Sequence, residues 1–306
     1  MNLYRDINLL PQFYNTVLTI GSFDGVHKGH VQVIKQIIKA AKNIDGTAVL
    51  ITFYPHPQQV VQNNNKPLLL LNTPGEKYEL LKQAGILNII EVPFNTAFAA
   101  LSADDYIAEF LVQKFNPKII VVGYDHKFGN KRTGNFSLLK SNEHKYGYLV
   151  NEIPAHLLQQ VTISSTKIRE ALLLGHIEIA ETLLGYPYFF SGQVIMGNQH
   201  GRTIGYPTAN LYIEDEHKLI PANAVYAVQI QWQNKLYKGM MNIGVRPTVG
   251  GTTRSIEVNI FDFTTDIYGE TLIITFIKKI RNEVKFNSLS ELKTQLNIDK
   301  IAALQA

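Results

Sequence analysis

Short apolar runs alternate with longer amphipathic stretches through the first 185 residues of the chain. The apolar runs are rich in β-branched residues and lie at residues 16–20, 47–53, 88–92, 118–122 and 148–153. Apolar residues spaced three or four positions apart predict helices at residues 31–42, 74–83 and 104–114, the last with Ser102 and Asp105 as its capping pair. Buried strands that alternate with helices predict a doubly wound α/β domain, in which a parallel sheet is covered on both faces.

The pattern changes after Gly185. Strand-like runs then follow one another directly, at residues 189–195, 225–232, 236–243, 255–261 and 271–280. Consecutive strands separated by turn signals predict an antiparallel barrel or sandwich. A terminal helix is expected to begin near Ser288, with Glu291 as its capping partner. The predicted domains are therefore residues 1–185 and residues 186–306.

Composition agrees with two folded domains. The chain has 306 residues, of which 45% are hydrophobic and 18% charged, a balance that excludes disorder. Its net charge of +4 divides evenly between the predicted domains, without the basic tail of a nucleic-acid-binding protein. The absence of cysteine excludes disulfides and thiolate metal sites. With no signal peptide and no span-length apolar run, we expect a cytoplasmic protein that binds neither membrane nor nucleic acid.

The first candidate site follows the strand at 16–20, where the string GSFDGVHKGH occupies residues 21–30. Glycines let the backbone approach a ligand, and the N-terminus of the next helix attracts phosphate. His27 and His30 are three residues apart and would share a helix face. The two histidines suit phosphate chemistry better than metal binding, because no third metal ligand lies at a suitable spacing in this segment. Two surface histidines on a turn would give the same spacing. The candidate contacts in this string are Gly21, Phe23, Asp24, His27, Gly29 and His30.

Three further segments are candidates for the same sheet edge. Two of them follow predicted strands, TFYPHP at 52–57 and GYDHKFG at 123–129, and the third is SSTKIR at 164–169, before a helical pattern. In SSTKIR, the hydroxyl groups, the cations and the N-terminus of the following helix favour binding of a polyphosphate. Taken alone, each segment is more typical of a turn or a helix cap than of a ligand site. Their candidate ligand contacts are His56, Gly123, Asp125, Phe128, Ser164, Thr166 and Arg169.

A second cluster lies in the β domain. A glycine-rich arch contains Gly197 and Arg202, and it ends in the string YPTAN at 206–210. Thr208 and Asn210 offer oxygen ligands of the hard type that Mg²⁺ prefers. The arch is not a P-loop, because it lacks the Gly-Lys-Ser/Thr ending and does not lead from a strand into a helix.

Alternation over residues 255–263 places Glu257, Asn259 and Phe261 on one face of a strand. An acidic side chain that faces a barrel interior is either paired or functional. In a kinase site it would be the base that accepts the proton of the attacking hydroxyl. Periodicity alone permits an outward-facing, solvated Glu257 equally well.

Together these motifs resemble a known family. The string HKGH at 27–30 and SSTKIR at 164–169 resemble the signature of the nucleotidylyltransferase superfamily. With GRTIGYPTAN at 201–210, NIGVRPT at 242–248 and DIYG at 266–269, nearly the whole chain resembles the bacterial bifunctional riboflavin kinase/FAD synthetase family. The resemblance implies a Rossmann-like FMN adenylyltransferase domain followed by a riboflavin kinase β-barrel.

The resemblance also implies two reactions that use ATP. In the barrel, riboflavin would be phosphorylated to FMN, with Thr208 and Asn210 binding Mg²⁺ and ATP and Glu257 deprotonating the ribityl 5′-hydroxyl. In the first domain, FMN would be adenylylated to FAD, with His27 and His30 steadying the ATP phosphates. Ser164, Thr166 and Arg169 would hold the departing pyrophosphate, while Asp125 and Phe128 would line the flavin or nucleotide pocket.

Several positions depart from the usual family pattern, namely Ala224, Asn259, His126 and Lys127. Two alternative functions stay open. One is an adenylyltransferase for another phosphorylated substrate, and the other is a flavin-binding carrier without turnover. The expected partners are riboflavin, FMN and ATP, and the expected assembly is a monomer or a weak homo-oligomer.

Overall fold

The structure is a computed structural model that describes residues 1–61, 67–153, 163–197, 204–248 and 251–306. These residues form two compact units, Met1–Ser164 and Ser165–Ala306. The sequence predicted a boundary between functional domains near Gly185, where the consecutive strands begin, and the second compact unit also includes residues 165–184. This helical segment packs on the barrel. The amide of Ala222 donates to the carbonyl of Leu172 over 3.0 Å.

A six-stranded parallel sheet forms the centre of the first unit. Its strands are β1 (Asn2–Tyr4), β2 (Val17–Ile20), β3 (Ala48–Tyr54), β4 (Asn88–Pro93), β5 (Ile119–Gly123) and β6 (Leu149–Ile153). The spatial order is β1-β4-β3-β2-β5-β6, and every neighbouring pair is parallel. The strand order reverses at β2, which makes its carboxyl end the topological switch point where such sheets bind ligands. The five predicted strands are confirmed, and β1 adds a short edge strand.

The helices of the first unit include all three that the sequence predicted. They are α1 (Lys28–Asn43), α2 (Pro57–Val61), α3 (Pro74–Gln83), α4 (Thr96–Ala99), α5 (Ala103–Asp105), α6 (Gln113–Phe115), α7 (Phe136–Ser141) and α8 (Glu143–Tyr146). A π-helical segment, Tyr106–Val112, joins α5 to α6, and a 3₁₀ turn covers Asn130–Arg132. The hydroxyl of Ser102 caps α5 by accepting from the amide of Asp105 over 3.0 Å.

The core of the first unit lies on both faces of the sheet. On one face, Leu18 and Ile20 of β2 pack with the aromatic residues Tyr106 and Phe110 in one buried cluster. Helix α1 contacts the same strands but contributes no residue to that cluster. Because successive strand residues point to opposite faces, α1 covers the other face. The doubly wound prediction is therefore confirmed.

The second unit begins with two helices and continues as a closed antiparallel barrel. Its elements are α9 (Ser165–Leu173), α10 (Ile177–Leu184), β7 (Phe189–Ile195), β8 (Ala209–Tyr212), β9 (Ala224–Trp232), β10 (Lys235–Thr248), β11 (Gly251–Ile260), β12 (Thr271–Arg281) and α11 (Leu289–Gln305). The strands close in the order β10-β11-β8-β7-β12-β9. The five predicted strands are confirmed, whereas β8, at the end of the glycine-rich arch, was not predicted.

The terminal helix α11 is held to the barrel by a buried ion pair. Asp299 has no exposure to solvent and accepts three hydrogen bonds of 2.7–3.0 Å from Arg281 at the end of β12. The amide of Gln295 donates to the same carboxylate over 2.9 Å. At the predicted start, the hydroxyl of Ser288 caps the helix by accepting from the amide of Glu291. Among all the described helices, none has the length and apolarity needed to cross a membrane.

Candidate active sites

Residues 21–30, which form the loop after β2 and the first turn of α1, are called here the histidine loop. Its first amide, of Gly21, donates to the carbonyl of Ile51 over 3.1 Å and so anchors the loop to β3. Phe23 and Val26 have left-handed backbone angles, with φ of 50° and 32°. Side chains other than glycine adopt this region at a cost, and such strain is typical of functional loops. The loop therefore holds an unusual backbone at the switch point of the sheet.

The two histidines form one rigid pair at the start of α1. The Nδ1 atom of His27 accepts from the amide of His30 over 3.3 Å and caps the helix. The two rings stack with centroids 3.7 Å apart and an angle of 13° between their planes. A side chain at Gly29 would begin 3.2 Å from the His27 ring, so glycine there leaves room for the imidazole. Both predicted histidines thus sit beside the same helix N-terminus.

His30 is held in its neutral form. Burial, followed by the nearby His27 and Lys77, keeps the pKa of His30 well below its ordinary value. Although the ring keeps some contact with solvent, its Nδ1 atom is buried and has no hydrogen-bond partner among the described residues. A neutral imidazole can donate one hydrogen bond to a phosphate oxygen without adding formal charge. Attraction for an anion must then come from the helix N-terminus and neighbouring cations.

Asp24, a predicted ligand contact, is buried and fastens the loop. Its Oδ1 atom accepts from the amide of Leu71 over 2.9 Å and from the amide of Asn72 over 3.4 Å. These residues lead into α3, which Thr73 and Glu76 begin with a reciprocal capping box. The structure therefore gives Asp24 a role in fixing the loop.

Sequence reasoning missed Lys77, which lies buried on α3. Its Nζ atom donates to the hydroxyl of Thr52 over 3.1 Å. Burial lowers the pKa of Lys77 to about 8, against the opposing effects of Glu91 and Asp24. The available signal was a lysine four residues before Leu81, on the apolar face of a predicted helix.

The other predicted residues of the first unit lie in different environments. Gly123 ends β5, and Asp125 is exposed in the loop after it. Phe128 is buried in the core, where its ring lies 4.9 Å from that of Tyr106 in a stacked arrangement. The Nδ1 atom of His56, after β3, accepts from the amide of Gln58 over 3.2 Å. In this structure the side chain of Asp125 is exposed to solvent and that of Phe128 lies in the core, so the two occupy different environments.

The SSTKIR segment spans the division between the two units. Ser164 ends the first unit, whereas Thr166 and Arg169 lie on α9 in the second. Thr166 is exposed and Arg169 is partly exposed. The helix predicted after this motif is present, but it begins at Ser165, so it contains the motif except for Ser164. A joint role with the histidine loop stays a prediction.

In the barrel, three predicted residues from two separate segments come together. The strand register pairs Glu257 of β11 with Asn210 of β8 on one side and with Asn242 of β10 on the other. The hydroxyl of Thr208 donates to Oε2 of Glu257 over 3.2 Å. Thr208, Asn210 and Glu257 are each partly exposed, so a ligand can reach them. We call these three residues the barrel triad.

Contacts around the barrel triad fix the chain that carries it. The side-chain amide of Asn259 donates to the carbonyl of Pro207 over 2.6 Å. The hydroxyl of Tyr206 donates to Oδ1 of Asn297, on the terminal helix, over 2.5 Å. A side chain at Gly197 would overlap the side-chain amide of Asn210, so glycine there is required by the close approach. Arg202 lies outside the described residues.

Two residues of the barrel triad, Thr208 and Asn210, provide ligand atoms of the kind that a magnesium ion uses. These atoms are a hydroxyl oxygen and an amide carbonyl oxygen, which suit Mg²⁺. Within the described part of the chain, no group of three His, Cys, Asp or Glu side chains is placed to hold a metal by itself. This donor set therefore fits an ion that takes its remaining ligands from phosphate oxygens and water.

A loop with two stacked histidines at the switch point of a parallel sheet, and an acid–hydroxyl site in a barrel, are features expected of a two-domain nucleotide-dependent transferase. Family models agree, because residues 10–167 match the FAD synthetase model and residues 184–306 match the riboflavin kinase model. The chain belongs to the bifunctional riboflavin kinase/FMN adenylyltransferase family. The expectation of an enzyme with both activities, in FMN and FAD biosynthesis, is thereby confirmed.

Similarity to individual proteins extends over the full length. The chain is 41% identical to the bifunctional riboflavin kinase/FMN adenylyltransferase of Buchnera aphidicola subsp. Schizaphis graminum, covering 98% of this chain and 96% of the relative. It is 37% identical to that of Escherichia coli K12, covering 99% and 97%. A crystal structure described as a macrolide-efflux protein from Streptococcus pneumoniae matches at 34% identity with a TM-score of 0.89, covering 100% of this chain and 99% of that one.

Proposed function

We propose that the barrel triad carries the phosphorylation of riboflavin. The observation that supports this most directly is the 3.2 Å hydrogen bond between Thr208 and Glu257, with Asn210 paired opposite Glu257. Glu257 accepts the proton of the ribityl 5′-hydroxyl, whose oxygen then attacks the γ-phosphorus of ATP, and ADP leaves. A carboxylate that orients and deprotonates a hydroxyl is the usual base of phosphoryl transfer.

Thr208 and Asn210 would hold the divalent ion of this reaction. When Mg²⁺ is bound, it would neutralise part of the negative charge on the ATP phosphates. The hydroxyl of Thr208 and the amide of Asn210 fix where the polyphosphate lies, and Gly197 lets the arch approach Asn210 closely. Arg202, in the same arch of the sequence, adds a cation for the phosphates.

The histidine loop carries the adenylylation of FMN. A phosphate oxygen of FMN attacks the α-phosphorus of ATP, the bond to the β-phosphate oxygen breaks, and pyrophosphate leaves. His27 and His30, stacked at the N-terminus of α1, donate hydrogen bonds to phosphate oxygens as charge shifts onto the leaving group. Gly21, Phe23 and Gly29 give the nucleotide close access to the backbone.

The remaining contacts rest on family resemblance and on position in the fold. Ser164, Thr166 and Arg169 hold pyrophosphate, with the last two at the N-terminal end of α9. His56 and Gly123 lie where β3 and β5 end, at the ligand-binding edge. Phe128 and Asp125 line the flavin or nucleotide pocket only if the loop after β5 rearranges on binding.

We also propose the functional boundary, location and assembly. The kinase domain begins after Gly185, in keeping with a riboflavin kinase match that starts at residue 184. A cytoplasmic location suits a chain without cysteine that consumes ATP. The assembly is a monomer or weak homo-oligomer, which light scattering over a concentration series tests directly.

Separate assays of two variants test this assignment. Glu257→Gln should abolish FMN formation from riboflavin and ATP but leave FAD formation from supplied FMN. His30→Ala should do the reverse, with a loss on the order of a hundred- to a thousandfold in rate. The exposed residues His144 and Asp262 provide controls, since His144→Ala and Asp262→Asn should leave both rates unchanged. Equal loss of both activities in either test variant would contradict separate sites.

A further inference from the structure

The buried ammonium group of Lys77 has no role in either reaction as described above. Lys77 is only 8% exposed, and among the described residues its hydrogen-bond partner is Thr52 alone. Within the described chain, no carboxylate oxygen lies at ion-pair distance from its Nζ atom. Removing a cation from water without a carboxylate partner costs free energy. A group kept under these conditions, close to a reaction site, is a candidate for function.

Lys77 is connected to the histidine loop through a short chain of hydrogen bonds. Its Nζ atom donates to the hydroxyl of Thr52, and that hydroxyl donates to the carbonyl of Ser22 over 3.1 Å. Ser22 belongs to the histidine loop. Asp24 of the same loop binds the amides that precede α3, the helix that carries Lys77. The loop is therefore fastened to the region of α3 at two separate points.

The titratable groups near Lys77 come from three segments. Asp24 lies in the histidine loop, His27 and His30 lie at the start of α1, and Glu91 lies on β4. The carboxylate of Glu91 is already engaged by Arg5 over 2.9 Å. A positive charge at Lys77 lies close enough to His30 to oppose a second positive charge on that imidazole.

We propose that Lys77 is a positioning residue for FMN adenylylation, which holds the histidine loop through Thr52 and Ser22 and keeps a fixed positive charge near His30. Fixed charges and dipoles aimed at a reacting phosphate stabilise the transition state without reorganisation at the moment of reaction. The same charge disfavours protonation of His30, which stays a neutral donor. This inference rests on the proposed role of the histidines.

The test compares full-length Lys77→Met with Lys82→Met, an exposed lysine on the same helix. We expect Lys77→Met to lower kcat for FAD formation from FMN and ATP by roughly tenfold to a hundredfold, since displacement of a catalytic loop by about 1 Å has such an effect. FMN formation in the barrel should be unchanged in the same preparation. Lys82→Met should alter neither rate.

A spectroscopic measurement separates positioning from general damage. In NMR titrations of ¹³C-labelled histidine, the pKa of His30 should rise in Lys77→Met and stay unchanged in Lys82→Met. If Lys77→Met folds poorly, Thr52→Val removes the linking hydroxyl at nearly constant volume, and FAD formation should again fall while FMN formation persists.

Three results would overturn the inference. The first is FAD formation by Lys77→Met or Thr52→Val at the wild-type rate, and the second is an unchanged pKa of His30 in Lys77→Met. The third is equal loss of both reactions. The test distinguishes failure of the role proposed for Lys77 from failure of the proposed adenylylation activity. If the wild-type protein makes no FAD, the proposed adenylylation site and the role of Lys77 are both refuted, whereas an active wild type with an equally active variant refutes the role of Lys77 alone.

Discussion

Replacing Lys77 with methionine should make the first unit more stable. Burial lowers the pKa of Lys77 from 10.5 to about 8. This shift corresponds to a free-energy cost of about 3 kcal/mol for burying the charged form at neutral pH. Methionine has a similar volume and carries no charge, while Thr52 keeps its hydrogen bond to Ser22. After allowance for the lost Lys77–Thr52 bond, we expect a gain of about 1–3 kcal/mol in the free energy of unfolding at pH 7.

The pH dependence of this gain identifies its cause. Between pH 8 and 10.5, an unfolded Lys77 keeps its proton while the folded one has lost it. The unfolded state then binds more protons, so wild-type stability rises with pH relative to the variant across this window. The advantage of Lys77→Met should therefore shrink steadily from pH 8 upward.

Chemical denaturation followed by circular dichroism at pH 7 and pH 9.5 measures this difference. The fluorescence of Trp232, the single tryptophan, reports the barrel separately and should not change. Lys82→Met provides the control, with no gain at either pH. A destabilised Lys77→Met, or a gain that is the same at both pH values, would refute the electrostatic reasoning.

Three further predictions concern the barrel. Gly197→Ala should lower the rate of FMN formation at least tenfold, because the new methyl group displaces the amide of Asn210. Tyr206→Phe removes the hydrogen bond to Asn297 and should raise the KM for ATP several-fold, since the chain that leads to the barrel triad loses its anchor on the terminal helix. Arg281→Met leaves a buried carboxylate unpaired and should cost the barrel about 3–5 kcal/mol, measured by Trp232 fluorescence in urea.

Each of these predictions has a control and a result that would count against it. Gly75→Ala, at a position with open space, should leave both reactions intact, and a fully active Gly197→Ala would refute the close-approach argument. Tyr212→Phe alters an exposed ring and serves as the control for Tyr206→Phe. An equal change in KM for ATP in both variants would refute the anchoring role of the Tyr206–Asn297 hydrogen bond. Replacing Arg281 and Asp299 together by apolar residues should be milder than Arg281→Met, and a larger loss would contradict the charge-burial argument.

The sequence predicted the strands of the first unit because burial on both faces selects continuous β-branched runs, and it predicted strands of the barrel such as β7 and β12 because one buried face gives alternating apolar residues. It predicted the start of the terminal helix because Ser288 and Glu291 form a local capping signal. Strand β1 was missed because three residues at a sheet edge carry no periodicity. Strand β8 was missed because it follows a glycine-rich arch whose composition is typical of a loop.

The candidate sites depended on information of two kinds. Motif strings pointed to His27, His30 and Glu257, but proximity of Glu257 to Thr208 follows from barrel register, which pairs segments far apart in the chain. Phe128 was expected at a ligand pocket, yet its ring fills the space left by Gly134 and packs in the core. The sequence does not show whether an aromatic side chain points toward a ligand pocket or into the core.

The central claim is that two separate sites act in sequence, and a mixing experiment tests it most directly. Glu257→Gln and His30→Ala are each incubated alone, and then together, with riboflavin, ATP and Mg²⁺, and the flavins are separated by chromatography. We predict no FAD from Glu257→Gln alone, and FAD from His30→Ala alone at a rate about a hundred- to a thousandfold below that of the wild type. The mixture should form FAD much faster than either variant, because FMN released by His30→Ala is adenylylated by Glu257→Gln. FAD formation by one variant alone that is as fast as by the mixture would contradict the account.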